Sequence, residues 1–110
     1  MEIFEAVRAL SSLAHETRLG IFRQLVQAGA TGLSVGEINN AMQVAGPTLS
    51  FHLKELANAG LVTSRHEGRF IYYQANYAVM NELLAYMTEN CCQGASCMPA
   101  DICKPGAKQS

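Results

Sequence analysis

The sequence predicts a mainly α-helical domain that carries one β-hairpin. Three observations lead to this fold class. Apolar residues recur at three- and four-residue steps through most of residues 2–60, which is the spacing of amphipathic helices. Two short helical segments then follow each other across a tight link near residue 45. After residue 61 the apolar period changes toward two, which is the period of a β-strand.

The first two helices are predicted from their apolar faces. One is expected over residues 2–11, and the next from about residue 16 to residue 28, because Gly29 is a typical helix stop. The expected apolar positions are Phe4, Val7, Leu10 and Leu13 for the first helix and Leu19, Phe22, Leu25 and Val26, facing inward, for the second.

The next two helices carry start signals. Ser34 followed three residues later by Glu37 fits a capping box, in which each side chain binds the other residue's backbone N–H. Pro47 is favoured in the first turn of a helix, and the helix that it opens is expected to close at Gly60. Its expected buried residues are Leu49, Leu53 and Leu56. Two short helices across a tight link outline a helix-turn-helix.

A hairpin and a last helix complete the pattern. Alternating residues on both sides of Glu67 and Gly68 predict two strands that turn at Gly68. Asn76 is a favoured N-cap, and a helix of roughly 20 Å is expected from there to Glu89. The order of these elements is that of a winged helix-turn-helix domain, in which the hairpin is the wing.

Length and composition restrict the class of protein. The chain has 110 residues, 49% of them hydrophobic, and a formal net charge of −1, so we expect one domain whose leftover apolar surface a dimer can cover. No run of about 18 apolar residues occurs, which argues against a transmembrane helix, and the acidic start argues against a secretory signal. We therefore expect a cytoplasmic protein, in which clustered cysteines bind metals more often than they form disulfides.

The four cysteines lie together near one end of the sequence. They are Cys91, Cys92, Cys97 and Cys103, in a segment that contains Gly94, Pro99, Pro105 and Gly106 and has no helical or strand period. We therefore divide the sequence into a folded body, residues 1–90, and a cysteine-containing tail, residues 91–110.

The second helix of a helix-turn-helix places its first residues in the major groove of DNA. Hydroxyl, imidazole and ammonium groups in that helix can bind base edges or phosphates, and the wing arginines are placed for phosphate or minor-groove contact, together with His66. Phe51 is expected either to contact a thymine methyl or to pack against the wing. The candidate DNA-binding residues are Pro47, Thr48, Ser50, Phe51, His52, Lys54, Arg65 and Arg69. The alternative is that both arginines are only solvated charges of a hairpin.

The adjacent pair Cys91 and Cys92, followed by Cys97, can offer three thiolates to one ion. Soft thiolates at low coordination number suit As(III) or Sb(III), provided that the helix unwinds so that neighbouring thiols converge. Cys103 can act as a fourth ligand, which leaves zinc open. A reversible disulfide from one of the pair to Cys97 or Cys103 is a further alternative. An enzyme is not expected, because the sequence has no Cys-x-x-Cys motif and no obvious base beside the cysteines.

Four segments of the sequence resemble the ArsR/SmtB family of metal-responsive repressors. They are residues 13–19 (LAHETRL), 47–56 (PTLSFHLKEL), 60–62 (GLV) and 67–73 (EGRFIYY), and the match covers roughly residues 3–90. The resemblance implies a homodimer joined by the first and last helices, and a repressor that its ligand releases from DNA. The interface residues that it implies are Phe4, Val7, Met80, Leu83, Leu84 and Met87.

Two ligand sites that are common in this family are missing from the sequence. Ser34 and Gly36 stand where many arsenic-responsive members carry a Cys-Val-Cys run, and residues 76–89 lack the His and Asp of the zinc-sensing members. What remains resembles the arsenic-responsive repressors whose ligands are a C-terminal Cys-Cys pair plus a third Cys.

The resemblance therefore implies a repressor of an arsenic-resistance operon that binds double-stranded operator DNA as a homodimer. The expected inducer is As(III) or Sb(III) on Cys91, Cys92 and Cys97, with Cys103 as an alternate, and no organic cofactor or membrane partner is expected. A thiol-redox or a zinc- or cadmium-responsive repressor of the same fold is the alternative.

Overall fold

A computed structural model describes residues 1–91 of the chain. The elements are α1 (Ile3–Leu13), α2 (Glu16–Ala28), a short 3-10 turn (Gly29–Thr31), β1 (Leu33–Ser34), α3 (Val35–Met42), α4 (Gly46–Asn58), β2 (Val62–Glu67), β3 (Phe70–Ala75) and α5 (Tyr77–Met87). This order confirms the predicted winged helix-turn-helix fold. None of these helices is long and apolar enough to cross a bilayer.

The wing is part of a three-stranded antiparallel sheet in the order β1-β3-β2. The predicted hairpin is confirmed, with Gly68 at its turn in a left-handed conformation (φ 64°). The short strand β1 was not predicted from the sequence; it pairs Leu33 with Tyr73 and Ser34 with Tyr72. Gly32 precedes it at φ 72°, and a Cβ there would collide with the carbonyl oxygen of Tyr73. The close approach of β1 to β3 therefore depends on this glycine.

The predicted start signals form in the structure. The Ser34 side chain accepts from the Glu37 backbone N–H at 3.1 Å, while the Ser34 N–H donates to Glu37 Oε1 at 2.8 Å. Asn76 Oδ1 accepts from the Val79 N–H at 3.3 Å, and Asn76 Nδ2 donates to the Gly60 carbonyl at 3.1 Å. Asn76 thus starts α5 and also ties it to the end of α4.

The core lies between α2, α3, α4 and the sheet. Its most completely buried large side chains are Ile21, Leu25, Ile38, Leu49, Leu53, Leu56 and Leu61. The prediction for α4 is confirmed, whereas the prediction that Leu19 faces inward is wrong, because its side chain is 44% exposed. The buried face of α2 is formed by Ile21, Phe22 and Leu25, and at 3.6 residues per turn Leu19 lies about 115° away from the centre of that face.

Candidate nucleic-acid interface

The outward face of α4 carries most of the residues that were expected to contact DNA. The exposed members of that set are Pro47, Thr48, Ser50, Phe51 and Lys54, whereas the leucines of α4 are buried on the opposite face. Pro47 lies in the first turn of α4, where backbone N–H groups have no partner within the helix, so the missing N–H of proline costs no hydrogen bond. The first turns of α4 therefore present hydroxyl and apolar groups to the surface, in the position from which such a helix enters the major groove.

The burial of His52 argues against the expected contact of this residue with DNA. Its side chain is buried, and its Nδ1 accepts a hydrogen bond from Arg18 Nε at 3.1 Å. The ring also lies 4.7 Å from the ring of His15, centroid to centroid. Burial lowers the pKa of His52, and the neighbouring His15 and Arg18 lower it further, while Glu55 opposes them. His52 is therefore a neutral residue that joins α4 to the start of α2.

Arg18 is a cation beside the recognition face that the sequence did not reveal. Its guanidinium carbon lies 5.7 Å from the centroid of the Phe51 ring. Phe51 is 53% exposed, and its ring contact is with His52. This favours an outward-facing role for Phe51 over packing against the wing. A pair separated by 34 residues, such as Arg18 and His52, leaves no periodic signal in the sequence.

The wing and α4 share one groove. Its volume is about 330 Å³, and it is lined by Ser34, Val35, Gly36, Ser50, Arg69, Phe70 and Ile71. Ser50 of α4 and Arg69 of the wing therefore lie on the same side of the protein, although they are far apart in sequence. Phe70 is 61% exposed beside Arg69, a position that the sequence indicated only as part of a strand.

Arg65 differs from Arg69 in that its guanidinium is bound to the protein. It donates to Glu67 Oε2, to Gln74 Oε1 and to the carbonyl oxygen of Thr31. A guanidinium held in this way is poorly placed to follow a DNA phosphate. The structure therefore does not support the expected phosphate contact of Arg65.

An apolar surface on α1 and α5 is the second feature of the exterior. Its large exposed residues are Ile3, Phe4, Val7 and Leu10 on α1 and Leu84 and Met87 on α5. The two helices pack against each other. Of the expected interface residues, Leu83 needs correction, since it is buried in the core of the single chain, and Met80 is half-buried against that core. We refer to the six exposed residues as the α1–α5 apolar surface.

The described part of the chain ends just as the cysteines begin. After α5, Asn90 adopts a left-handed conformation (φ 58°), and the Cys91 N–H donates to the Thr88 carbonyl at 3.0 Å. Cys91 is half-buried, and the other expected ligands, Cys92, Cys97 and Cys103, lie outside the described residues. Within residues 1–91, no three His, Cys, Asp or Glu side chains come together as a metal site.

An exposed second helix that shares a groove with a hairpin wing defines the class: a winged helix-turn-helix DNA-binding regulator. A family model described as a helix-turn-helix domain matches residues 13–65. The arsenical resistance operon repressor of Bacillus subtilis is 37% identical over 81 residues, which is 74% of this chain and 73% of the relative. This chain belongs to the ArsR family of transcriptional regulators, as the sequence motifs indicate.

Two other proteins show the range of this similarity. The transcriptional activator HlyU of Vibrio cholerae is 30% identical over 89 residues, which is 81% of this chain and 80% of the relative. A homodimeric winged helix-turn-helix DNA-binding domain from Mycobacterium bovis, described as a possible ArsR-family regulator, superposes with a TM-score of 0.63 at 26% identity. That match covers 88% of this chain and 90% of the other.

Proposed function

We propose that this protein is a homodimeric repressor of an arsenic-resistance operon. It binds operator DNA through α4 and the wing, and it is released when As(III) or Sb(III) binds the thiolates of Cys91, Cys92 and Cys97, with Cys103 as an alternate ligand. The observation that carries the ligand assignment is the end of α5 at Met87, before the first cysteine. The B. subtilis relative, by its name an arsenical resistance operon repressor, supports the choice of operon and inducer.

The end of α5 removes the main geometric objection to a site with adjacent cysteines. Successive residues on a regular helix point about 100° apart, so two neighbouring thiols cannot converge on one ion. Here Thr88 is the C-cap and Asn90 is left-handed, so Cys91 lies beyond the helix. Because Asn90 departs from the α-helical conformation, regular α-helix spacing does not hold Cys91 away from a neighbouring thiolate on a pyramidal As(III).

Two copies are needed because one copy offers DNA only a small set of cations. Among residues 1–91, the candidate cations on this side are Lys54, Arg69 and Arg18, and the whole chain has a net charge of −1. A modest number of phosphate contacts gives weak non-specific binding and a shallow salt dependence. A dimer that reads two half-sites, one or a few helical turns apart, gains affinity by linking two such contacts.

Release follows from the position of the thiols next to the helix that carries part of the α1–α5 apolar surface. Ligand binding that rearranges the end of α5 changes the spacing between the two copies of α4 in the dimer. The ligand then releases DNA if it binds the free protein more tightly than it binds the DNA complex. A coupling of about 1–3 kcal/mol would weaken operator binding roughly 5- to 150-fold.

An operator-release titration tests this proposal. A DNA duplex that the protein selects from a random pool is labelled with a fluorophore, and its anisotropy reports binding. Arsenite, antimonite, zinc or cadmium is added under reducing conditions, and peroxide is added in a separate titration without reductant. We expect arsenite and antimonite to release the wild-type protein. We expect the triple variant Cys91→Ser, Cys92→Ser, Cys97→Ser to stay bound. Ser96→Ala changes the same segment without removing a thiol and should behave like the wild type.

Three results would contradict the ligand assignment. Release by zinc or cadmium but not by arsenite would make the protein a sensor of those metals. Release by peroxide that a reductant reverses, without any response to arsenite, would make it a thiol-redox regulator. Release of the triple variant by arsenite would place the site elsewhere in the chain.

A further inference from the structure

Arg65 holds the base of the wing through three hydrogen bonds to three different segments. Nε donates to Glu67 on β2 at 2.7 Å, Nη1 donates to Gln74 on β3 at 3.0 Å, and Nη2 donates to the carbonyl oxygen of Thr31 at 2.6 Å. The guanidinium also lies over the Tyr72 ring, 5.0 Å from its centroid. One side chain therefore connects both wing strands to the turn that follows α2.

Arg65 lies at the position in the sheet where this connection can control the direction of the wing. Arg65 pairs with Tyr72 across the hairpin, and Tyr72 also pairs with Ser34 of β1. Beyond this register, toward the turn, β3 pairs with β2 alone. Arg65 therefore stands where the wing loses its third strand, and residues 66–71 extend from that point.

The part of the wing beyond Arg65 carries residues that line the groove between the wing and α4. Arg69 and Phe70 line that groove together with Ser50 of α4. A small rotation of the hairpin about its base would move both residues relative to α4. The bonds of Arg65 to Thr31 and to both strands oppose such a rotation.

We propose that Arg65 is a positioning residue: it fixes the direction of the wing relative to α4, so that Arg69 and Phe70 meet DNA in register with the recognition helix. Arg65 itself makes no essential phosphate contact. This inference rests on the proposed operator binding, and it assigns different roles to two arginines that are four residues apart in one hairpin.

Matched lysine and alanine substitutions separate the two roles. A phosphate contact depends mainly on charge, so we expect Arg69→Lys to keep most of the operator affinity and Arg69→Ala to lose it. Lysine has no planar fork and cannot reach three acceptors in three directions. We therefore expect Arg65→Lys and Arg65→Ala to weaken operator binding alike, about 5- to 10-fold, measured by anisotropy well below the melting temperature.

A double-mutant cycle tests whether Arg65 acts through the wing. If Arg65 positions Arg69, removing both side chains should cost less than the product of the two single effects. Glu67→Gln provides a milder variant that keeps the Arg65 charge. It removes a negative charge from the wing, so improved DNA binding would favour a pure charge role, whereas a two- to threefold loss is expected for positioning.

Backbone amide hydrogen exchange at residues 66–70 gives a readout that does not require DNA. Exchange should become faster in Arg65→Lys and Arg65→Ala but not in Arg69→Ala. Restored affinity in Arg65→Lys, additive losses in the double variant, or unchanged exchange at the wing would each overturn the inference. If the wild-type protein selects no duplex, the proposed function fails, whereas the exchange measurement still decides whether Arg65 holds the wing.

Discussion

On α1 the small residues face inward and the large apolar residues face solvent, whereas α4 shows the opposite arrangement. The buried residues of α1 are Ala6, Ala9 and Ser12, while Phe4 and Val7 are 69% and 55% exposed. The buried residues of α4 include three leucines, and its exposed side carries the polar residues Thr48, Ser50, Lys54 and Asn58. Both helices are amphipathic, so apolar periodicity alone does not say which face meets the core.

This difference indicates two kinds of partner. Large exposed apolar side chains on two helices that pack together mark a protein interaction surface, because leaving them in water is unfavourable. A second copy of the chain is the partner that the proposed function assigns to it. The polar face of α4, beside the wing groove, suits DNA, whose recognition depends on hydrogen bonds and phosphate contacts.

The largest expected effect comes from breaking the apolar surface. Val7→Glu places a charge in the proposed interface without disturbing the core, because Val7 is exposed in the single chain. We expect monomers by sedimentation velocity and a loss of operator affinity of at least about 100-fold, since two linked half-site contacts become independent. Leu19→Glu is the matched control, because Leu19 is 44% exposed on α2, and it should leave the dimer intact.

Substitutions of Ser50 and Arg69 should have smaller effects, and they distinguish base recognition by α4 from phosphate contact by the wing. Ser50→Ala should weaken binding to the selected duplex by about 1 kcal/mol per half-site and leave binding to a scrambled duplex unchanged. Arg69→Ala should instead weaken binding to both duplexes alike, and it should make the slope of log K against log salt concentration shallower by about one per copy. If Ser50→Ala weakened both duplexes alike, α4 would not be reading bases through that hydroxyl.

The smallest effect concerns the support of α4 by His52. Its pKa lies below the ordinary value of 6.5, chiefly because burial disfavours the charged ring. Below about pH 6.5 the unfolded chain binds a proton that the folded chain resists, so folding stability falls as the pH falls through that region. His52→Gln should flatten the dependence of melting temperature on pH between pH 7.5 and 5.5. His66→Gln, at an exposed position on β2, should retain it.

Local signals predicted much of the fold. The capping box at Ser34, the N-cap at Asn76 and the glycine turn at Gly68 are encoded within a few residues each, and all three form in the structure. The strand β1 was missed because two residues carry no period, and its pairing with β3 is a contact between distant parts of the chain.

The errors at the site have three different origins. The burial of His52 was readable, since Leu49, His52, Leu53 and Leu56 follow the spacing i, i+3, i+4, i+7 of one helix face. Leu83 was not readable in the same way, because α5 is apolar on more than one face and sequence alone does not choose between them. The bond from Arg65 to Thr31 joins residues 34 apart and depends on how the wing packs.

Sedimentation velocity of the wild-type protein with its selected, fluorescently labelled duplex tests directly whether the protein binds DNA as a dimer. We expect two copies to bind one duplex together, and we expect Val7→Glu to abolish this complex while the variant remains folded by circular dichroism. A single copy bound to the duplex at full affinity, or a Val7→Glu variant that still binds as a pair, would contradict it.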